Sequence, residues 1–333
     1  MRVHARFALS RRTPRDSVDP FYASAIFLLG LAFGSFLNVC VYRLPLDLSV
    51  VTPRSACPGC KKPIAFYDNV PVVSWLLLRG RCRHCQTRIS ARYLFVEVLT
   101  AALFLGCYAY FGVTVATLKC CVFGFLLLGL IFTDAETKLL PDKLTLPGLA
   151  FGLLFSLLVP VHDMASQFLP AVLDLPLSAD FAARLFSLLD SVLGAVLGAS
   201  FIYGAGAIYL RWRGAEGMGF GDVKLMAMVG AFLGIKLTVF TIFAASLTGS
   251  LFGLTTVLVV WIKRTHRFTR QFAKLPAARR DAEKESPRIR GWRSAQKVYR
   301  NYQMPFGVFL GSMALIALFV GNQFLSWYGR LWW

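Results

Sequence analysis

Charge is scarce in this 333-residue sequence. Charged residues make up 16% of it, against about 25% in soluble domains. Acids are the scarcer kind, with 17 Asp and Glu in all. So little charge cannot clothe an ordinary soluble enzyme. No segment repeats at the periods of solenoids or propellers. No stretch alternates as a strand does, and no Gly-x-Gly-x-x-Gly follows one, so a Rossmann-type nucleotide site is excluded. The 56% hydrophobic content removes disordered and collagen-like chains as well.

Long apolar runs are what the sequence does have. They cover roughly 21–42, 93–111, 113–133, 143–160, 186–210, 222–235, 237–262 and 305–328. A bilayer core about 30 Å thick asks for about 20 apolar residues per helix. The expected fold is therefore an all-α polytopic membrane protein with about eight transmembrane helices. The sixth run is short and ends in Gly234, which demands a tight turn before the seventh.

The net charge is +19, from 36 basic residues and 17 acids. In a soluble chain that excess would point to nucleic acid, but in a membrane chain it sets orientation. With loop 43–92 in the cytoplasm, 27 basic residues fall inside and 8 outside. The five arginines before residue 20 dissent from this pattern. Trp327, Tyr328, Trp332 and Trp333 suit an interfacial aromatic belt. The expected organisation is a basic tail (1–20), a first membrane helix (21–44), a cytoplasmic cysteine loop (45–92), a six-helix membrane core (93–262), a basic cytoplasmic insert (263–303) and a last helix with the C-terminus (304–333). The insert carries 13 basic and three acidic residues. It reads as a solvated segment touching anionic lipid headgroups. No aromatic platform interleaves its charges, so a nucleic-acid partner is not expected.

Eight cysteines divide into two groups. Cys40, Cys107, Cys120 and Cys121 lie in apolar runs, where Cys packs as a small hydrophobe. Cys57-Pro-Gly-Cys60 and Cys82-Arg-His-Cys85 form two C-x2-C pairs. Each pair can turn both sulfurs to one ion, and the two together complete a structural tetrahedral zinc site. Two disulfides are the alternative, opposed by a reducing cytoplasm. His84 could replace one ligand. Gly59 and Gly80 suit the turns.

Acids beside apolar runs are costly and therefore functional candidates. Asp134 ends the third run and Asp222 begins the sixth, both on the cytoplasmic side by the orientation above. Gly217, Gly219 and Gly221 strip side chains from the approach to Asp222, so that an extended substrate can lie close. Two carboxyls sharing a site cannot both ionise easily. One holds a proton while the other activates water, as in aspartic proteases. Helix capping or ion pairing remains the plainer account of each.

Five ordered stretches together resemble a known family, the bacterial type IV prepilin peptidases. They are Gly34-Ser-Phe-Leu-Asn-Val-Cys-Val-Tyr-Arg-Leu-Pro45; the cysteine pairs with Asn69-Val-Pro-Val-Val-Ser-Trp75 between them; Thr133-Asp134 through Leu140-Pro141-Asp142; Glu216-Gly-Met-Gly-Phe-Gly-Asp222 through Gly234; and Met304-Pro-Phe-Gly307. The resemblance spans about residues 24–325. It implies an inner-membrane aspartic peptidase with Asp134 and Asp222 as catalysts, working at the cytoplasmic face. It implies cleavage of a basic leader from prepilins and pseudopilins, followed by N-methylation of the new N-terminus from S-adenosylmethionine. No donor-binding residues follow from the sequence. Leu94, where a Pro is common, and Glu136 depart from the pattern, as do the long insert and the tail. A peptidase without methylation, or a transporter or scaffold with ion-binding aspartates, stands as the alternative.

Other acids read as structural. Asp142, after Pro141, suits a helix start. Glu97 suits an ion pair with Arg92 or Lys224. Glu216 and Lys224 flank the second aspartate and could tune it or form a solvated pair. Asp190 suits the outer interface. His162 and His266 read as loop residues without partners.

Overall fold

The computed structural model describes residues 18–160, 163, 166, 178–214, 217–274, 286–301 and 304–332. The basic tail before residue 18, Glu216, His162, Trp333 and part of the 263–303 insert lie outside the described residues. So do the side chains of residues 297–303, 329 and 331–332.

The described residues form helices and no strands. The helices are α1 (Pro20–Arg43), α2 (Val73–Leu77), α3 (Ala91–Phe111), α4 (Val115–Thr137), α5 (Asp142–Leu158), α6 (Ala179–Arg213), α7 (Phe220–Ala273), α8 (Pro287–Asn301), α9 (Phe306–Ile316) and α10 (Asn322–Trp332). Local chemistry sets many of their ends. The Asp19 carboxylate accepts from Phe21 N at 2.8 Å, and Pro20 stands at the first helical position, where its missing N–H costs nothing. The Ser90 hydroxyl oxygen accepts from Arg92 N at 3.2 Å to start α3, supplying one orphan amide of a helix start with a partner. Gly214, at φ 67°, ends α6.

Among the described residues, six helical stretches are long and apolar enough to cross a membrane: Pro20–Leu46, Ala91–Phe111, Val115–Thr137, Ala179–Arg213, Phe220–Ala273 and Phe306–Tyr328. The expected eight segments differ from these in two places. Run 143–160 becomes the 17-residue α5. Runs 222–235 and 237–262 are two helical legs on either side of a break at Gly234 (φ 77°, ψ −174°), taken together as α7. The break reverses the chain. A Cβ on Gly198 of α6 would stand 2.5 Å from Met226 O and 3.2 Å from Thr238 Cγ2. A continuous helix would separate residues 226 and 238 by about 18 Å, so only a hairpin brings both to one point.

Between lipid-solvated helices the hydrophobic effect offers little, and close backbone approach takes its place. Gly30 and Gly34 lie one turn apart on α1. A Cβ on either would come within 2.6 Å of the Cα of Ala101 or Glu97 on α3. Gly194 and Gly230 make the same approach between α6 and α7. The central core stacks Leu37, Phe123, Leu127, Leu130, Leu225, Met226, Met228 and Leu310, all fully buried. Phe21, Leu28, Leu247, Leu251 and Leu254 stay exposed, as side chains that face lipid do.

The basic insert is described at 263–274 and 286–301, where Lys263, His266, Arg267, Arg270 and Lys274 stay exposed. Its first turns prolong α7, so His266 is helical, and α8 packs back on them. Asp190 is fully buried rather than interfacial and accepts from Ser166 N at 3.0 Å.

Candidate active site

Asp134 lies in the last turn of α4 and is buried. Its Oδ2 accepts the Val308 N–H at 2.9 Å. Val308 is the third residue of α9, whose opening amides lack intrahelical partners. Pro305 precedes them and contributes no side-chain cap. The carboxylate of α4 therefore caps α9 across 174 residues of sequence, with the helix dipole favouring its charge. A Cβ on Gly307 would sit 2.9 Å from this same Oδ2. That crowding accounts for glycine after Met304-Pro305-Phe306.

Asp222 is the third residue of α7 and is also buried. It is not the cap of its helix. That position belongs to Gly219, whose carbonyl accepts the Asp222 N–H at 3.1 Å. The three glycines before it behave differently from one another. Gly217 lies flat against the Tyr209 ring, and a Cβ on Gly221 would meet Leu140 Cβ at 2.9 Å. Gly219 alone opens toward the carboxyl, its would-be Cβ 4.0 Å from Asp222 Oδ2.

Leu140 joins the two halves. It touches Gly221 beside Asp222, and a Cβ on Gly307 beside Asp134 would lie 3.2 Å from its Cδ1. Through this shared side chain the two carboxyls come to one end of the bundle. Neighbouring charges are paired among themselves. Lys224 Nζ holds both Asp142 oxygens at 2.7 Å, Lys143 meets Asp47 at 3.0 Å, and Arg92 pairs with Glu136. Among the described residues neither Asp134 nor Asp222 has an ion-pair partner. Asp142 is thus a strut between the starts of α5 and α7 rather than a cap. Glu97 pairs with neither Arg92 nor Lys224. It is buried, and its Oε2 accepts the Val72 N–H at 2.7 Å. Val72 is β-branched and stands at φ 61°, a strained setting, so this contact ties the cysteine loop to α3. The Arg43 guanidinium at the end of α1 ties the same loop from the other side, donating to Ser49 O at 2.9 Å and Pro53 O at 2.7 Å, while Asn38 Nδ2 joins α1 to α3 by donating to Tyr93 O at 3.0 Å.

The loop brings all four expected cysteines together. The sulfurs of Cys57, Cys60, Cys82 and Cys85 lie within 4.8 Å of one another, and Cys57 and Cys85 are 3.6 Å apart. Tetrahedral Zn–S bonds of about 2.3 Å place sulfurs about 3.8 Å apart, so the donor set fits zinc. None of the four is disulfide-bonded, and His84 stays outside the cluster. The two knuckles are copies of one another. Cys57 N donates to Lys62 O at 3.0 Å and Lys61 N to Cys57 O at 2.9 Å, while Cys82 N donates to Thr87 O at 2.9 Å and Gln86 N to Cys82 O at 3.0 Å. The left-handed residues are Lys61 and Gln86, at φ 58° and 59°. Gly59 serves space instead, since its Cβ would meet Thr87 Oγ1 at 2.6 Å, whereas Gly80 does take a positive φ of 64°. The Thr87 hydroxyl leads in pulling the Cys85 thiol down to about 6. Nearby, the Arg83 guanidinium holds the Asp68 carboxyl below its usual range through hydrogen bonds of 2.6–3.1 Å.

The fold and site define a polytopic helical membrane protein that gathers two buried aspartates at one end of its bundle and carries a four-cysteine cluster at that end. Two family descriptions match the chain: the bacterial peptidase A24 N-terminal domain over residues 28–111, and the type IV leader peptidase family over 121–254. Several relatives are named prepilin leader peptidase/N-methyltransferase. The protein from Aeromonas hydrophila is 32% identical over 92% of this chain and 93% of its own length. Those from Myxococcus xanthus (38%, 72% of this chain and 64% of its own) and Neisseria gonorrhoeae (37%, 70% and 81%) are also similar. No solved structure matches. The chain belongs to the type IV leader peptidase family.

Proposed function

We propose that this protein is a bifunctional inner-membrane enzyme that removes the basic leader of prepilins and pseudopilins and methylates the N-terminus so exposed. Asp134 and Asp222 form the peptidase centre. The observation that carries this reading is their convergence. Two buried acids from helices far apart in sequence meet at one end of the bundle, with no ion pair to either among the described residues.

Such a pair hydrolyses a peptide bond without a covalent intermediate. One carboxylate takes a proton from water as its oxygen attacks the scissile carbonyl carbon. The other, protonated, gives its proton to the carbonyl oxygen. Collapse of the tetrahedral diol breaks the C–N bond, and the leaving amine takes up a proton. The Val308 N–H fixes one Asp134 oxygen and leaves Oδ1 for this work. Gly219 keeps the approach to Asp222 clear. The excess of basic residues in the loops at this end of the bundle supports a cytoplasmic position for it, where a basic leader meets its apolar helix.

Zinc would be held by Cys57, Cys60, Cys82 and Cys85 and would staple a loop too small for a core of its own. Its closed shell of four thiolates leaves no position for substrate. S-adenosylmethionine supplies the methyl group. No strand-bounded glycine loop stands ready for it among the described residues, and no residue is assigned to it.

The test is leader cleavage by Asp134→Asn and Asp222→Asn protein. Each change is expected to lower cleavage about 10³-fold or more while zinc content and folding persist. Cleavage by either variant at the original rate would overturn the assignment. Mass spectrometry of mature pilin, seeking one added methyl group, tests the second activity.

A further inference from the structure

The densest concentration of one charge lies where α7 leaves the bundle. Up to Ile262 the helix is apolar, and Leu251, Leu254, Leu258, Val259 and Ile262 are exposed, as befits a helix in lipid. The next three turns change chemistry. Lys263, His266, Arg267, Arg270 and Lys274 recur at helical spacing on one face, where they line an open recess with Ile262 and Gln271. The other face of the same turns is packed. Thr265 meets Gly291 of α8. Trp261 sits edge-on to Trp292 at 5.8 Å, and its Nε1 donates to Arg288 O at 3.3 Å. Packing α8 here brings Arg288, Arg290 and Arg293 close to a helix that is already basic.

Gathering like charges costs Coulomb energy, and the described residues do not offset it. None of Lys263, His266, Arg267, Arg270 or Lys274 has an acidic partner among them. Asp281, Glu283 and Glu285 lie outside the described residues. An anion that meets the helix where its lipid-facing stretch ends would supply counter-charge to the whole stripe.

We infer that this face of α7 binds the phosphate groups of anionic phospholipids in the leaflet it faces. A helix that passes from lipid-facing leucines straight into a stripe of cations sets those cations at headgroup depth. From Lys263 to Lys274 the stripe runs about 16 Å, room for more than one phosphate. The paired tryptophans at its start suit the interface between hydrocarbon and headgroup. The inference does not depend on the peptidase reading, because lipid binding is measured directly.

The experiment is native mass spectrometry of the full-length protein in detergent, titrated with tetraoleoyl cardiolipin, dioleoyl phosphatidylglycerol or dioleoyl phosphatidylethanolamine. The two anionic lipids are expected to be retained in preference to the zwitterionic one. Arg267→Ala/Arg270→Ala/Lys274→Ala should weaken their binding about 100-fold, at about fivefold per charge near a membrane surface. Arg267→Gln and Arg270→Gln alone should each cost about fivefold, which keeps the test open if the triple variant folds poorly. Arg54→Ala/Lys62→Ala/Arg88→Ala in the cysteine loop should leave binding unchanged. Equal retention of phosphatidylethanolamine, or an equal loss in the loop variant, would overturn the site. Displacement of the lipids by millimolar inorganic phosphate would overturn the lipid in favour of a free anion.

Discussion

Gly307 shows how far one missing methyl group reaches. Its Cβ would lie 2.9 Å from Asp134 Oδ2 and 3.2 Å from Leu140 Cδ1, so alanine must displace either the catalytic candidate or the side chain that joins the two halves. A shift of a few tenths of an ångström at a reacting group costs far more rate than stability. Gly307→Ala is therefore expected to lower the rate of leader cleavage about 10- to 100-fold, with a melting temperature in detergent close to that of the parent. A parent-like rate would show that the crowding is relieved elsewhere. Asp134, Asp222 and the cysteine quartet were all legible in the sequence, because an acid at the edge of an apolar run and a doubled C-x2-C are unusual. Their partners were not legible. The Val308 amide that Asp134 caps belongs to the backbone of a helix 174 residues away. Glu97 suggested a cation partner and found the Val72 amide instead, since no side-chain identity announces a strained backbone.

At the scale of elements, the cysteine loop is held by its four-cysteine cluster within and by polar ties to α1 and α3 below. Cys60→Ser removes one ligand of a closed site, and the expected result is loss of zinc by elemental analysis and faster proteolysis between residues 45 and 92. Full zinc occupancy in this variant would reject the four-cysteine assignment. Chelation of the parent should reproduce the proteolysis and leave the membrane helices intact. The other element under test is the α6–α7 contact. Gly198→Leu would drive four carbons into Met226 O and Thr238. Overpacking of this kind costs about 1–3 kcal/mol or more, so the melting temperature in detergent should fall. The sequence signalled the turn at Gly234 and the two legs it separates. It missed the helicity of residues 263–273 and 287–301. Many of their polar residues look solvated one by one, and only the Trp261–Trp292 and Thr265–Gly291 contacts reveal a packed pair.

For the whole molecule, the distribution of basic residues makes a topological prediction. A cysteine placed at Arg293 on α8 should be shielded from a membrane-impermeant maleimide in intact cells, whereas one at the exposed Arg184 near the start of α6 should react from outside. The reverse pattern would invert the molecule and remove the aspartates from the cytoplasmic side. The global fold was largely readable, because hydropathy fixes where a helix must cross. The bundle's internal arrangement was less so, because glycine contacts such as Gly30–Ala101 and Gly194–Gly230 carry no hydropathy signal.

The reversal at Gly234 also constrains biosynthesis. The leg before it covers residues 220–233, about 21 Å of helix, less than the hydrocarbon thickness of about 30 Å. Lys224 and Asp222 occupy its first turns. An emerging chain that ended soon after Gly234 would present the insertion machinery with a helix unable to remain in the bilayer. Only once the return leg has left the ribosome can the two enter as one loop, so Asp222 reaches its place opposite Asp134 late in synthesis and all at once. Until then the expected precursor has Asp134 in the bundle and Asp222 still outside it.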